Sequence, residues 1–287
     1  MPLSIVQPAR LPSPAVARVL RGYGINPADP ALLDRLRLTP AGNLREILGS
    51  STKIRKGERA GILSTVAYLS PSTEAGVNTC PLAGRCAAQC IRDVGRMTFA
   101  QSARSRVMKT LLWHLYPEAF LSQLRGEALR HARKAERAGM VPAIRLNGTS
   151  DILWERTPIV EELISLGIRP YDYTKIDPVK RMRHAAPEYH LTFSVDEKPG
   201  SIDTAERYLR VGGNAAIVIQ SEDGSTLADA KKAQAVLLDR GSWRGFPVIS
   251  GDETDWRPGD PAGHVVVLHA KGPAVRDISG FVQRVTL

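Results

Sequence analysis

The sequence predicts an α/β protein: a partial (β/α)6-type barrel over residues 61–287, preceded by an irregular, partly helical extension over residues 1–60. Three observations predict it. From Gly61 onward, short β-branched and apolar runs alternate with amphipathic stretches, the pattern of repeated βα units on a parallel sheet. Glycines stand where the helical stretches stop, at Gly139, Gly167 and Gly212, as a helix terminus requires. Polar residues gather at each strand's end, the rim where barrels of this kind keep their chemistry.

The elements follow in order. Pro8, Pro12 and Pro14 interrupt the start, Pro27 to Leu36 reads as a capped short helix, and Ser51 to Gly57 as a basic, turn-rich connection. Gly61–Leu69 is the first strand. Thr98–Tyr116 is helical, with Phe99, Val107, Leu111, Leu112 and Leu115 near one face. Pro117 starts a second helix that runs to Ala138. Strands follow at Pro142–Leu146, Arg169–Lys175, Tyr189–Val195, Ala215–Gln220, Phe246–Ser250 and His264–His269. Helices lie between them at Pro158–Leu166, Pro178–Ala185, Ile202–Val211 and Leu227–Leu238, and a strand segment closes the C-terminus.

Composition bounds the class. A chain of 287 residues buries a full core without disulfides. No apolar run approaches the ~20 residues that span a bilayer, and Met1–Arg21 lacks the apolar stretch of a signal peptide. Clustered cysteines argue for a reducing compartment, so the expectation is a cytoplasmic protein with no membrane partner. The net charge of +10 is concentrated between Arg92 and Arg137. Such a field attracts DNA, RNA or a nucleotide-like substrate; a solvated basic surface is the other reading.

All three cysteines, Cys80, Cys86 and Cys90, fall within eleven positions, in the spacing Cys-x5-Cys-x3-Cys. A shared ligand accounts for that clustering. A structural zinc site needs four closed ligands; the nearest histidine, His114, lies toward the far end of a predicted helix, so a Cys3His site is possible but poorly spaced. A disulfide leaves one thiol over. A 4Fe-4S cluster takes four cysteines as a rule, so three leave one iron open to an outside ligand, as in enzymes that bind S-adenosylmethionine (SAM) there. The thiols do not look like a single activated nucleophile, because no base stands near them in sequence. Neither a Gly-x4-Gly-Lys phosphate loop nor a Gly-x-Ser-x-Gly elbow is present.

The strand ends supply Asn147, Thr149, Ser150 and Asp151; then Asp172 and Lys175; then Ser194, Asp196 and Glu197; then Gln220 and Glu222; then Asp252 and Asp255; and last His269 and Lys271. Lys175, Asp252 and Asp255 are the candidate catalytic residues. Each has a plainer reading: Asp151 as a helix cap, Lys175 as a solvated strand end, Asp252 and Asp255 as turn formers, and His269 as a core histidine.

Leu69-Ser-Pro, Asn78 to Cys90, Arg145-Leu-Asn-Gly-Thr-Ser-Asp151, Tyr171-Asp-Tyr-Thr-Lys175, Gly251 to Pro261 and His269-Ala-Lys-Gly272 together resemble a family of gene products from bacteriophages and mobile elements. Some of its members look like radical-SAM enzymes. The resemblance spans residues 60–285 in order. It implies cluster-ligand roles for Cys80, Cys86 and Cys90. It implies a SAM amino-group contact in Asn147–Asp151, with Asn147, Ser150 and Asp151 as candidates, and a carboxylate or ribose contact in Ser194, Asp196 and Glu197. It also implies an external electron donor, and the host cytoplasm as location. The Cys-x3-Cys-x2-Cys spacing best known in radical-SAM enzymes is absent, as is a Gly-Gly-Glu after the second strand. Two further readings stand beside a radical enzyme acting on a nucleic acid or nucleotide. One is a non-catalytic nucleic-acid-binding protein with a structural zinc or iron–sulfur site. The other is an iron–sulfur enzyme whose open iron acts as a Lewis acid.

Overall fold

Ser13 and Pro14 begin the first helix instead of interrupting the chain. The Ser13 hydroxyl accepts the Val16 N–H at 3.3 Å, and Pro14 occupies the first turn of α1 (Pro14–Gly22), where its missing N–H costs nothing. The computed structural model describes residues 7–287, and the reading of residues 1–6 lies outside the described residues. α2 (Leu32–Arg37), the two-residue strand β1 (Leu48–Gly49) and α3 (Thr52–Arg55) follow.

The N-terminal helices share one core with α4 (Ala100–Leu115) and α5 (Pro117–Arg137): Leu20 and Leu36 are buried in the same cluster as Leu111 and Phe120. Buried Glu127 ties the two parts together, accepting the N–H groups of Ile47 and Leu48 at 3.0 and 2.8 Å.

β2 (Ile62–Ala67) is buried along its whole length, as a strand covered on both faces must be. The rest of the chain alternates as the sequence predicts. β3 (Val141–Arg145), α6 (Ile159–Ser165), β4 (Arg169–Thr174), α7 (Pro178–Met182) and β5 (His190–Ser194) lead to α8 (Ser201–Arg210) and β6 (Asn214–Ser221). Then come α9 (Leu227–Arg240), β7 (Ser242–Trp243), β8 (Phe246–Ser250), β9 (Val265–His269) and β10 (Val282–Val285).

The strands form one sheet in the order β1-β2-β3-β4-β5-β6-β9-β8-β7, with β10 alongside the C-terminal half of β6. Every pairing is parallel except β1 with β2 and β7 with β8. The expected parallel α/β sheet is present. By its hydrogen bonding it is an open sheet, because no ladder among the described residues joins β1 to β7.

Strand order decides what covers each face. From β2 to β6 the chain steps in one direction, and right-handed crossovers then put the intervening helices on one side. Between β8 and β9 it steps back, which sends the connection 251–264 across the opposite face. Along β3, Ala143 faces that connection while Ile144 joins the helical core, the alternation a strand imposes. Trp256 of the connection packs with Ile62, Ala143 and Tyr171, its ring edge-on to Tyr171 at 5.5 Å.

Candidate functional site

Because the long strands run parallel, their carboxyl ends share one rim, the usual site of ligand crevices in such sheets. A cavity of about 350 Å³ opens there between the strand ends and the cysteine segment, and Cys80, Cys86 and Cys90 all line it.

The cysteine segment lacks long helices. It is held by its neighbours through three 3₁₀ turns, at Arg85–Ala87, Ile91–Asp93 and Gly95–Thr98. Thr79 accepts the Asp151 N–H on its carbonyl at 2.8 Å and donates its own N–H to Ser72. Glu197 accepts the Arg85 N–H at 2.7 Å, and the Lys198 ammonium reaches the Leu82 carbonyl. At Gly272 (φ +57°) a Cβ would stand 2.6 Å from Val94, so the C-terminal part of the chain also closes on this segment through a residue that must lack a side chain.

The three thiols are free and half-buried. The Cys80 sulfur lies 3.6 Å from the Thr149 carbonyl. Burial pushes the Cys80 and Cys90 thiols up; backbone N–H groups at Ser72 and Arg92 pull them back, while the neighbouring thiols raise them further. At neutral pH these are therefore thiols, and binding a metal centre would release their protons. Among the described residues no group of three or more His, Cys, Asp or Glu side chains is gathered tightly enough to hold a single metal ion. His114 does not line the cavity; its ring faces Arg10 at 3.3 Å and Trp113.

Asn147, Ser150 and Asp151 line the cavity, but their side chains are largely committed. The Asn147 carbonyl oxygen accepts from Ser150, Ile152 and Trp154, and its amide donates to Asp172 and to the Ile152 carbonyl. Asp151 accepts the Lys175 N–H at 2.9 Å and pairs with Arg181 at 3.3 Å; burial raises its carboxyl against both. These residues build the turn after β3. What that turn offers the cavity is backbone, the Thr149 carbonyl among it.

Lys175 lines the cavity with its ammonium 3.3 Å from the Ser194 hydroxyl and 4.9 Å from the centre of the Phe281 ring. Asp196 turns away, to Lys198 at 3.3 Å and to the Lys198 N–H. Asp252 sits behind the wall and receives Lys271 at 2.5 Å and His269 at 2.8 Å. Burial alone would raise its carboxyl, but these two partners hold it well below the usual range. Asp255 is buried under Arg145 at 3.2 Å, Lys53 at 3.6 Å and the Tyr171 hydroxyl at 3.3 Å. It too is lowered against its burial, chiefly by Arg145. A carboxylate held ionised by such partners positions them and is a poor proton acceptor.

Sequence reasoning missed Lys53, Tyr68, Tyr173 and Phe281, all of which line the cavity. Lys53 lay in a stretch read as a connection. Tyr173 carries no charge to mark it in sequence, although two-residue spacing puts it on the same face as Tyr171 and Lys175, and the Arg145 guanidinium lies 4.7 Å over its ring.

Fold and site thus define an α/β protein with a thiol-lined cavity at the carboxyl rim of an open parallel sheet. The chain belongs to the gene product 88 family, whose family model matches residues 43–285. That match bears out the resemblance at family level and assigns no chemistry. No curated protein and no solved structure matches the chain.

Proposed function

We propose that this protein is an iron–sulfur enzyme of radical-SAM type, acting on a nucleotide or nucleic acid. The observation that carries this reading is the convergence of all three cysteines on one cavity that contains no fourth sulfur. The donor set suits such a cluster: three free thiols, with backbone N–H groups directed at two of them, the contacts that tune thiolate ligands. A 4Fe-4S cluster on Cys80, Cys86 and Cys90 would keep one iron open for SAM and supply the electron that cleaves it.

The chain's own residues have definable tasks in this reading. Thr79, Glu197 and Lys198 hold the cysteine segment against the strand ends. Lys175, steadied by Ser194 and by the Phe281 ring, presents a cation to whatever fills the cavity. Asp252 and Asp255 orient Lys271, His269, Arg145 and Lys53 along its wall. The basic chain favours an anionic substrate. With no cysteine left for a second all-cysteine cluster, electrons come from an external donor. Free thiols suit a reducing compartment, here the cytoplasm of a bacterial host. No helix among the described residues is long and apolar enough to cross a membrane.

Anaerobic reconstitution tests the proposal. We expect about four irons and four sulfides per chain, loss of both in Cys80→Ala, Cys86→Ala and Cys90→Ala, and 5′-deoxyadenosine after adding dithionite and SAM. Zinc without iron or sulfide would replace this reading with a structural-metal protein. An intact cluster that never yields 5′-deoxyadenosine would remove the SAM chemistry and leave the open iron as a Lewis acid.

A further inference from the structure

Two lysines of the cavity wall lack a carboxylate of their own among the described residues: Lys175, which has the Ser194 hydroxyl and the Phe281 ring instead, and Lys53, which has neither. Three carboxylates of the connection after β8 sit in or behind its wall. Two of them have a cation of their own: Lys271 meets Asp252 at 2.5 Å and Arg257 meets Asp260 at 2.9 Å. The third, Asp255, is only 3% exposed and has two, Arg145 and Lys53. Arg145 takes the larger share. One of its amino groups reaches both Asp255 oxygens at 3.3 and 3.2 Å, and its other nitrogens donate to the carbonyls of Asn147 and Gly148. The Tyr171 hydroxyl donates to Asp255 as well.

Lys53 is left with a 3.6 Å contact to an already compensated carboxylate, and its ammonium makes no hydrogen bond among the described residues. The Lys53 side chain keeps 28% of its surface exposed, so its ammonium is only partly desolvated, has no acceptor of its own and is open to an anion from the cavity. Burial, only partly offset by Asp255, accordingly lowers the lysine's pKa. Lys53 lines the cavity, and so does Tyr173, whose hydroxyl is buried without a hydrogen-bond partner. Tyr173 is joined to the same cluster through Arg145 over its ring.

We propose that Lys53 anchors the phosphate group of a phosphate-ester substrate, of nucleotide size, with the ester's remainder directed along the cavity toward the thiols. This deepens the reading of the cavity as a substrate site and does not depend on the cluster. A phosphate oxygen would supply the acceptor Lys53 lacks and, being anionic, cancel the excess positive charge.

Calorimetric titration with inorganic phosphate, AMP and adenosine tests it, on the protein as isolated and after cluster reconstitution. AMP should bind at least tenfold more tightly than adenosine, with phosphate competing. Lys53→Met should lower AMP affinity at least tenfold and leave adenosine unchanged. AMP should bind the protein as isolated, before any iron is added, so loss of the cluster and loss of the anchor are read separately. Lys53→Met should melt at or above the wild-type temperature, because Asp255 and Arg145 then balance one to one. Equal or absent binding of AMP and adenosine, unchanged AMP affinity in Lys53→Met, or a melting point several degrees lower would overturn the proposal; the last would make Lys53 the structural partner of Asp255.

Discussion

Asp172 is wholly buried on the helical side of β4, and its hydrogen bonds come from uncharged donors: the Asn147 N–H and amide, and the Tyr189 hydroxyl. Burial, outweighing those bonds, pushes its pKa up to about 7. A carboxyl raised in the folded state binds its proton more tightly there than in the unfolded chain. Its contribution to stability is therefore full below the ordinary carboxylate value and is lost as pH rises through about 7. His190 works in the opposite sense. Burial lowers it to about 4, so its contribution is present above its ordinary value and is lost as pH falls toward 4. Asp172→Asn removes the first effect. The stability difference, variant minus wild type, should rise between pH 4 and pH 7 with a slope of up to about 1.4 kcal/mol per pH unit. Urea unfolding at a series of pH values checks it; parallel curves for the two proteins would show that Asp172 titrates normally.

At the scale of elements, the cysteine segment owes its shape to what surrounds it, and the turn after β3 is the chief support. Gly148 shows how little room that turn has: a Cβ there would meet Tyr68 at 2.6 Å, Val66 at 2.7 Å and the Ala67 carbonyl at 2.8 Å. The backbone would have to move, and with it the Thr149 carbonyl beside Cys80. Overpacking of this kind costs about 1–3 kcal/mol. Gly148→Ala should lose about that much in urea unfolding and retain less iron after reconstitution, whereas a purely local effect would leave the iron content at the wild-type level. The N-terminal helices illustrate the reverse case, an element set by its own residues, since Ser13 and Pro14 suffice to start α1.

At the scale of the whole molecule, the chain carries a net charge of +10, and Arg85 and Arg96 are exposed in and just after the cysteine segment. We predict binding of single-stranded nucleic acid at about 50 mM salt that weakens linearly in log–log form as salt rises; fluorescence anisotropy measures it, and salt-independent affinity would argue against polyanion contact. The element positions were legible because period, capping and glycine stops are local. Gly139 and Gly167, read as helix ends, hold φ of +63° and +71°, and the parallel runs lie within a few residues of where the pattern put them. The clustering of the thiols was legible for the same reason. Local patterns do not say which distant segments meet. The insertion of β9 between β6 and β8, the opening of the sheet, and the closure of Arg145 on Asp255, 110 residues along the chain, depend on segments distant in sequence burying surface against one another. The sequence by itself determined the alphabet of elements and the proximity of three sulfurs. Tertiary structure decided which charges pair and which lysines are left over, because pairing is settled by shared burial, and burial is a property of the assembled sheet.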